Sequence, residues 1–338
     1  MATPHAHWSS SSVLVTGIAG FIGSGLAEAL CRLGASVVGV VRDFTAVDLL
    51  QARGIHDRVT VVRGSITEPG VVERTLNEYE VDTVFHLAAQ SQVKVANRSP
   101  LSTFESNIAG TWQVLEAARL SSTVERVLVA SSDKAYGIQR QLPYTEDSPL
   151  EGSFPYDASK TCTDVLARCY AETYRLPLAI LRCANVYGPG DLNWSRLVPG
   201  TIRSALLGER PLIRSDGSPE RDYIYLDDAV EAYLLAALAL PSVAGEAFNA
   251  GSGSPVAVTD LVNRILSIAG VPELEPQIAA DAPSEIDRQY LASGKAERLL
   301  GWGATVGLDE GLERSLSWYR SFLQADDSRP ERLVGLQS

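Results

Sequence analysis

Along the first 190 residues the apolar positions follow one repeating design: a short β-branched run, a turn of small residues, then an amphipathic stretch of helical period. Val13-Leu14-Val15 is the first such run, and LAEALCRLG, ending at Gly34, is the first amphipathic stretch. SVVGVV (36–41), RVTVVRGSI (58–66), TVFHLAA (83–89), VERVLVA (124–130) and LAILRCANVYGPG (178–190) repeat the strand. NIAGTWQVLEAARL (107–120) and residues 155–176, closed by Pro177, repeat the helix. Strands alternating with helices predict an α/β protein with a doubly wound parallel Rossmann sheet over residues 11–190. After Gly190 the alternation breaks. Residues 191–222 and 254–325 are expected to form a smaller C-terminal α/β substrate lobe, while 223–253, with the run AFNAGSG, returns to the large sheet. Residues 1–10 read as a disordered leader and 326–338 as a loose tail.

The turns between these elements carry the candidate chemistry. Gly17, Gly20 and Gly23 follow the first strand and open the first helix. Glycine at this spacing lets the backbone turn tightly and approach a pyrophosphate at the helix N-terminus, with Ala19, Phe21 and Ile22 completing the cradle. Arg42 and Asp43 end the second strand, where an adenosine ribose is read. The acid suits the free hydroxyls of NAD and the arginine the phosphate of NADP; NAD is expected, with NADP as the alternative. Ser65 and Ile66 lie where the chain turns beneath an adenine ring, and Leu87, Ala88 and Ala89 where a cofactor crosses a strand tip. His86, in the same run, reads as a packed histidine and not as a ligand.

SSDKAYG (131–137) spills out of the fifth strand, and YDASK (156–160) opens a helix after Pro155. Tyr156 and Lys160 are one turn apart and share a face. A tyrosine hydroxyl is a poor base at its ordinary pKa of about 10, and a neighbouring cation lowers that pKa by stabilising the phenolate. Ser132 completes a Ser-Tyr-Lys set. Asp133 and Lys134 add an acid and an amine, the alternative for that pair being a surface ion pair on a loop. Arg196, Arg203, Arg214 and Arg221 fall within one stretch, and at least two are expected to be solvated. Arg221 is the expected diphosphate clamp, because a guanidinium binds phosphate through paired hydrogen bonds.

Charge and cysteine usage narrow the partners. A net charge of −12 over 338 residues argues against nucleic acid or an anionic membrane, although a local arginine cluster still suits a small anion. No run approaches the ~20 apolar residues of a membrane span, and the N-terminus has no signal-peptide pattern, so a cytoplasmic location is expected. Cys31, Cys162, Cys169 and Cys183 form no CxxC and have no paired histidines, so no metal is expected. Cys162 and Cys169, inside a helical pattern, read as buried small residues.

TGIAGFIG, HLAAQS, SSDKAYG, YDASK, RCANVYGPG, RDYIYLDD and KAERLLGW, in that order over residues 13–323, resemble the extended short-chain dehydrogenase/reductase superfamily. The resemblance implies an enzyme similar to nucleotide-sugar epimerases, decarboxylases and 4,6-dehydratases. It also implies a tightly held dinucleotide and a homodimer built on helices near 100–120 and 155–175. In the 4-epimerases the two positions after the serine look small or neutral, whereas the 4,6-dehydratases place an acid and then a base there. Asp133-Lys134 resembles the CDP-glucose enzymes, and HLAAQS the CDP-glucose and GDP-mannose dehydratases. SVVGVVRD resembles the strand end of GDP-mannose enzymes that use NADP, apart from Asp43. The expected activity is NDP-hexose 4,6-dehydration, on CDP-glucose or GDP-mannose, with a 4-epimerase or decarboxylase as the alternative. A silent dinucleotide sensor is set aside because Tyr156 and Lys160 are both present. In dehydration Tyr156 takes the C4 hydroxyl proton, neutral Lys134 takes the C5 proton and protonated Asp133 supplies the departing C6 hydroxyl. Expected substrate contacts are Gln90, Ser132, Asn185, Leu197, Val198, Arg221 and Arg288, with residues 193–201 over the nucleotide base.

Overall fold

The computed structural model describes residues 7–43, 48–279 and 286–326. Its central sheet has seven parallel strands: β1 (Ser12–Thr16), β2 (Ser36–Val41), β3 (Val59–Arg63), β4 (Thr83–His86), β5 (Arg126–Ser132), β6 (Leu178–Cys183) and β7 (Ala247–Ala250). They lie in the order β7-β6-β5-β4-β1-β2-β3. The direction of winding reverses between β1 and β4, the position at which such sheets leave a crevice beyond their strand ends. Leu14, Phe85, Leu128 and Ile180 are fully buried, as side chains of a parallel sheet covered on both faces must be.

Helices α1 (Phe21–Arg32) and α6 (Leu226–Val243) share the core on one face. Helices α2 (Val71–Glu78), α3 (Gly110–Leu120) and α4 (Pro155–Tyr174) cover the other. Trp8 is fully buried in the first core, its ring 6.0 Å from that of Phe85, so the loose leader expected over residues 1–10 does not extend to residues 7–10. The indole supplies a large apolar surface that is best buried. Residues 1–6 and 327–338 lie outside the described residues. Cys31 and Cys183 are buried, whereas Cys169 is exposed and Cys162 half-buried, because α4 turns that face towards solvent.

The helix expected over 107–120 starts in a π-turn, Glu105–Ala109, which follows a helical turn at Pro100–Phe104. The π-turn directs buried Asn107 inward. Its Nδ2 donates to the Gln90 carbonyl (3.1 Å) and Ser159 Oγ (2.9 Å), and its Oδ1 accepts from Gln90 N (2.7 Å). A buried network fixes the end of β5. Arg182 donates to both Asp164 oxygens (2.7 and 3.1 Å) and to Tyr136 Oη (2.8 Å), while Ser131 Oγ donates to Asp164 Oδ2 (2.5 Å). This ties β5, β6 and α4 together around SSDKAYG.

Beyond β6 the chain builds the smaller lobe. α5 (Leu197–Leu207), α7 (Val258–Ala269) and α8 (Leu308–Asp326) enclose a core that includes Ile202, Leu261, Leu312 and Tyr319. A small sheet pairs Glu220–Arg221 with Val256–Ala257 on one side and Arg288–Gln289 on the other. Among the described residues no helix is long and apolar enough to cross a membrane, and no group of three or more His, Cys, Asp or Glu could hold a metal.

Candidate active site

One cavity of about 960 Å³ runs from the glycine turn, past the ends of β4 and β5, to α5. Its first end is lined by every residue expected to touch the cofactor: Gly17, Ala19, Gly20, Phe21, Ile22 and Gly23, then Arg42 and Asp43, Ser65 and Ile66, and Leu87, Ala88 and Ala89. The turn fits a dinucleotide. A Cβ at Gly17, where φ is +73°, would lie 2.8 Å from Ala88 N, and one at Gly23 would lie 2.1 Å from Gly17 O. Helix α1 begins at Gly20 with no side-chain cap and no acid in its first turn, which suits its N–H groups to an anion. Arg42 Nε is held by Asp43 Oδ2 at 2.6 Å, so the guanidinium that would greet an extra phosphate is already engaged.

Behind this wall His86 is buried between Thr16 Oγ1 (2.8 Å from Nδ1) and Thr111 Oγ1 (3.0 Å from Nε2). Thr111 spends its proton on the Asn107 carbonyl (2.6 Å), so Nε2 donates and Nδ1 accepts. Burial, reinforced by Lys160, pushes the imidazole pKa down to about 3. It is the packed histidine expected.

The catalytic candidates converge where β5 ends. Ser132 sits opposite Cys183 of β6 and caps the tight turn Asp133–Tyr136, its Oγ accepting from Lys134 N (3.2 Å) and donating to Asp133 Oδ1 (2.9 Å). The Tyr156 hydroxyl lies near enough for Ser132 to lower its pKa. Tyr156 and Lys160 rise from the first turns of α4 and line the same cavity. Their coupling differs from expectation. Lys160 is buried and donates to the Ala130 carbonyl (2.8 Å), and burial pushes its pKa down to about 8 against the pull of Asp164. Burial pushes Tyr156 up to about 12; the cation opposing that shift is Arg196, while Asp133 adds to it.

Asp133 and Lys134 are no surface pair: their side chains are 3% and 21% exposed, with Nζ 3.9 Å from Oδ2. Asp133 Oδ2 is buried with no hydrogen-bond partner among the described residues. Two neighbours escaped the sequence reading. Asp157 is buried beside the pair; desolvation pushes its carboxyl up to about 6, with Lys134 opposing and Asp133 adding. Gln289 is fully buried, its Oε1 accepting from Lys134 Nζ and its Nε2 donating to the Asp133 carbonyl (3.1 Å). Asp157 was in view inside YDASK. Gln289, 155 residues from Lys134, carried no local signal.

At the far end, Gln90, Asn185, Leu197 and Val198 line the wall as expected. So do all four arginines, Arg196, Arg203, Arg214 and Arg221, where at least two were expected in solvent. Asp191 holds Arg196 at 3.0 Å, Arg203 lies over the Trp194 ring at 5.8 Å, and Arg221 is buried. Arg288 is the exception. It is half-exposed, paired with Glu220 Oε2 at 2.7 Å, and does not line the cavity. Successive strand residues face opposite sides, so with Gln289 turned inward Arg288 turns out.

Known proteins share the fold. Over 312 residues the chain is 33% identical to a UDP-glucose 4-epimerase of Mycolicibacterium smegmatis, covering 91% of this chain and 98% of that one. It is 32% identical over 328 residues to a probable dTDP-glucose 4,6-dehydratase of Sinorhizobium fredii, covering 91% and 92%. Among solved structures, a dTDP-glucose 4,6-dehydratase of Streptomyces venezuelae with NAD bound superposes with a TM-score of 0.84 at 32% identity, over 91% of this chain and 96% of that one. The UDP-glucose 4-epimerase of Thermotoga maritima with UDP-glucose gives 0.85 at 30%, over 92% and 99%. The profile of the NAD dependent epimerase/dehydratase family spans residues 13–251, from β1 to just past β7. With that match, a cradle shaped for a dinucleotide and Tyr156 and Lys160 beside it, the chain belongs to the NAD dependent epimerase/dehydratase family, and NAD is its cofactor.

Proposed function

We propose that this chain is a nucleotide-diphosphate-hexose 4,6-dehydratase that makes a 4-keto-6-deoxy sugar nucleotide, with CDP-glucose or GDP-mannose as the favoured substrate. The observation that carries the reading is the pair Asp133 and Lys134: an acid and an amine, both largely withdrawn from water, in the cavity that also holds Ser132, Tyr156 and Lys160. When bound, NAD supplies the hydride acceptor for C4 and the donor for C6. Tyr156 takes the proton of the C4 hydroxyl, and Ser132 and Arg196 support the charge on its oxygen. The 4-keto group makes the C5 proton acidic. Lys134 removes that proton; the C–H electron pair becomes the C5–C6 double bond, and the C6–O bond breaks. The departing hydroxyl takes a proton from Asp133 and leaves as water, Lys134 gives its proton back to C5 when C6 receives the hydride, and Lys160 holds the tyrosine end of the site. Arg221, with Arg196, Arg203 and Arg214 around it, binds the diphosphate, and residues 193–201 cover the base. We also propose a homodimer, since Trp112 on α3 and Val165 and Tyr174 on α4 leave apolar surface exposed on two helices that pack side by side.

A 4-epimerase is the second reading, favoured by the likeness to the mycobacterial UDP-glucose enzyme; Asp133 and Lys134 would then only hold the sugar. The test is mass spectrometry of products from CDP-, GDP-, UDP- and dTDP-hexoses supplied with NAD or NADP. A product lighter by one water supports dehydration and identifies the nucleotide. A product of unchanged mass and altered stereochemistry would mean epimerisation.

A further inference from the structure

We propose that Gln289 is the positioning residue that aims Lys134 at the sugar, holding its nitrogen from the same strand pair that carries the phosphate-binding arginine. The inference deepens the dehydratase reading and rests on it. Gln289 belongs to the small lobe, on the strand Arg288–Gln289, yet its amide reaches the turn after β5 and grips it at two points. The direction of the amide is forced. The Asp133 main-chain carbonyl can only accept, so it takes the NH₂ at 3.1 Å, which leaves the amide oxygen facing Lys134 Nζ. The nearest oxygen of Asp133 is 3.9 Å from the same nitrogen, too far for a hydrogen bond. Gln289 is therefore what fixes the end of a four-carbon chain that would otherwise sample many rotamers.

The chemistry of an amide suits this task. An amine works as a base through its lone pair, so one of its N–H bonds can be anchored while the lone pair stays turned to the cavity. A carbonyl oxygen accepts that N–H and carries no net charge, so it orients the nitrogen without holding a proton on it. A carboxylate at the same place would pair with the ammonium and oppose its deprotonation. Asp133 and Asp157 already supply two carboxyls around Lys134, and a third would deepen that hold.

Register supplies the second half of the argument. Gln289 is the parallel neighbour of Arg221, and the strands are joined by Glu220 N to the Asp287 carbonyl (2.7 Å) and Asp222 N to the Gln289 carbonyl (3.2 Å). The residue that holds the diphosphate and the residue that aims the base thus sit on paired strands. Their relative position is set by sheet hydrogen bonds.

The test uses Gln289→Met, which keeps the length and removes both hydrogen bonds, and Gln289→Glu, which puts a carboxyl against Lys134. On the sugar nucleotide that the native enzyme dehydrates, a single turnover is followed by the absorbance of reduced cofactor and by product mass, alongside the melting temperature of each variant. The expected result is C4 oxidation at the native rate with elimination slowed by about 10²-fold, as for a reacting group displaced by an ångström or so, so that reduced cofactor accumulates. Gln289→Glu is expected to slow elimination at least as much as Gln289→Met. Native partition between the two steps in both variants would overturn the inference. So would an equal slowing of both steps with a lowered melting temperature, which would make Gln289 a structural tie only. A native enzyme that dehydrates none of the sugars overturns the dehydratase reading itself, and this inference with it; a native enzyme that dehydrates while the variants keep its partition overturns the inference alone.

Discussion

Replacing Lys134 with methionine separates the steps of the proposed reaction most cleanly. Methionine keeps most of the lysine stem, so the packing of a side chain that is only 21% exposed is largely preserved while the amine is lost. Two partners feel the loss. Gln289 Oε1, fully buried, loses its hydrogen bond, which costs roughly 1–3 kcal/mol for an acceptor left without a donor. Asp133 loses the amine nitrogen 3.9 Å away. The fold should survive with a modestly lower melting temperature. Chemistry should not survive evenly. A general base contributes about 10²- to 10⁴-fold, so elimination should slow by that factor, roughly 3–5 kcal/mol of barrier. Tyr156, Lys160 and the glycine turn are untouched, so C4 oxidation should proceed at close to the native rate. The assay mixes enzyme with one equivalent of the accepted sugar nucleotide, follows the near-ultraviolet absorbance of reduced cofactor, and quenches for product mass. Reduced cofactor that forms and persists, with little dehydrated product, is the expected outcome. Water loss at the native rate would refute Lys134 as the base, and slowing of oxidation by the same factor would show that the amine serves the first step instead.

Tyr156→Phe should lower oxidation and elimination together, because the second step waits on the first; a variant that still forms reduced cofactor rapidly would remove the phenol from its role. His86→Gln should flatten the acid side of the stability curve: unfolded histidine binds a proton below about pH 6.5 while the folded ring resists until about 3, so native stability is present above that range and falls with pH through it, by up to ~1.4 kcal/mol per unit. Urea midpoints measured against pH in both proteins check the difference, and parallel curves would sink it. In the proposed homodimer, Trp112→Glu, on the exposed face of α3, should leave the fold intact and shift sedimentation from dimer to monomer; a sedimentation coefficient equal to that of the native protein would refute this interface.

The large sheet was legible because its signal is periodic and local. A parallel strand covered on both faces must be apolar throughout, and the runs at Val13, Val37, Val84, Val127 and Ile180 each fall on a strand that forms, although those of 83–89 and 178–190 reach past their strand ends into the following loops. Turn chemistry was equally local, so the glycine cradle and the Tyr156–Lys160 spacing could be read directly. What escaped depends on which way a side chain faces after long-range pairing. Arg288 and Gln289 are adjacent, and sequence chose the arginine for its charge; the pairing with Glu220–Arg221 turns the glutamine in instead. At least two of the four arginines were expected in solvent, in a stretch without clear period, but α5 and the short strands of the lobe bring all four to one wall. Trp8 looked like part of a polar leader, because seven of the first twelve residues are serine, threonine or histidine, yet its ring packs against Phe85. The influence of Lys160 on Tyr156 was inferred from spacing alone, which cannot reveal that the ammonium is taken by the Ala130 carbonyl.

Overall likeness does not separate the two reactions, since the chain is 33% identical to an epimerase and 32% identical to a dehydratase over nearly the same span. The physical expense of the site supports the proposed dehydration. Epimerisation at C4 needs one proton relay, which Tyr156 supplies, and nothing at C5 or C6. An acid and an amine drawn out of water are a burden to such an enzyme: Asp133 Oδ2 has no hydrogen-bond donor among the described residues, and leaving a buried acceptor unmet costs on the order of 1–3 kcal/mol. Folding offers an easy escape, because a serine or alanine at position 133 would end β5 equally well and leave the Ser132 cap of the turn in place. Local rules are broken at functional sites when the broken rule serves the reaction. An elimination uses both groups at once, the amine to receive the C5 proton and the unpartnered carboxyl oxygen to meet the C6 hydroxyl. The oxygen without a donor in the protein is the one for which the substrate would bring a partner, and among the reactions of this family that requirement favours dehydration.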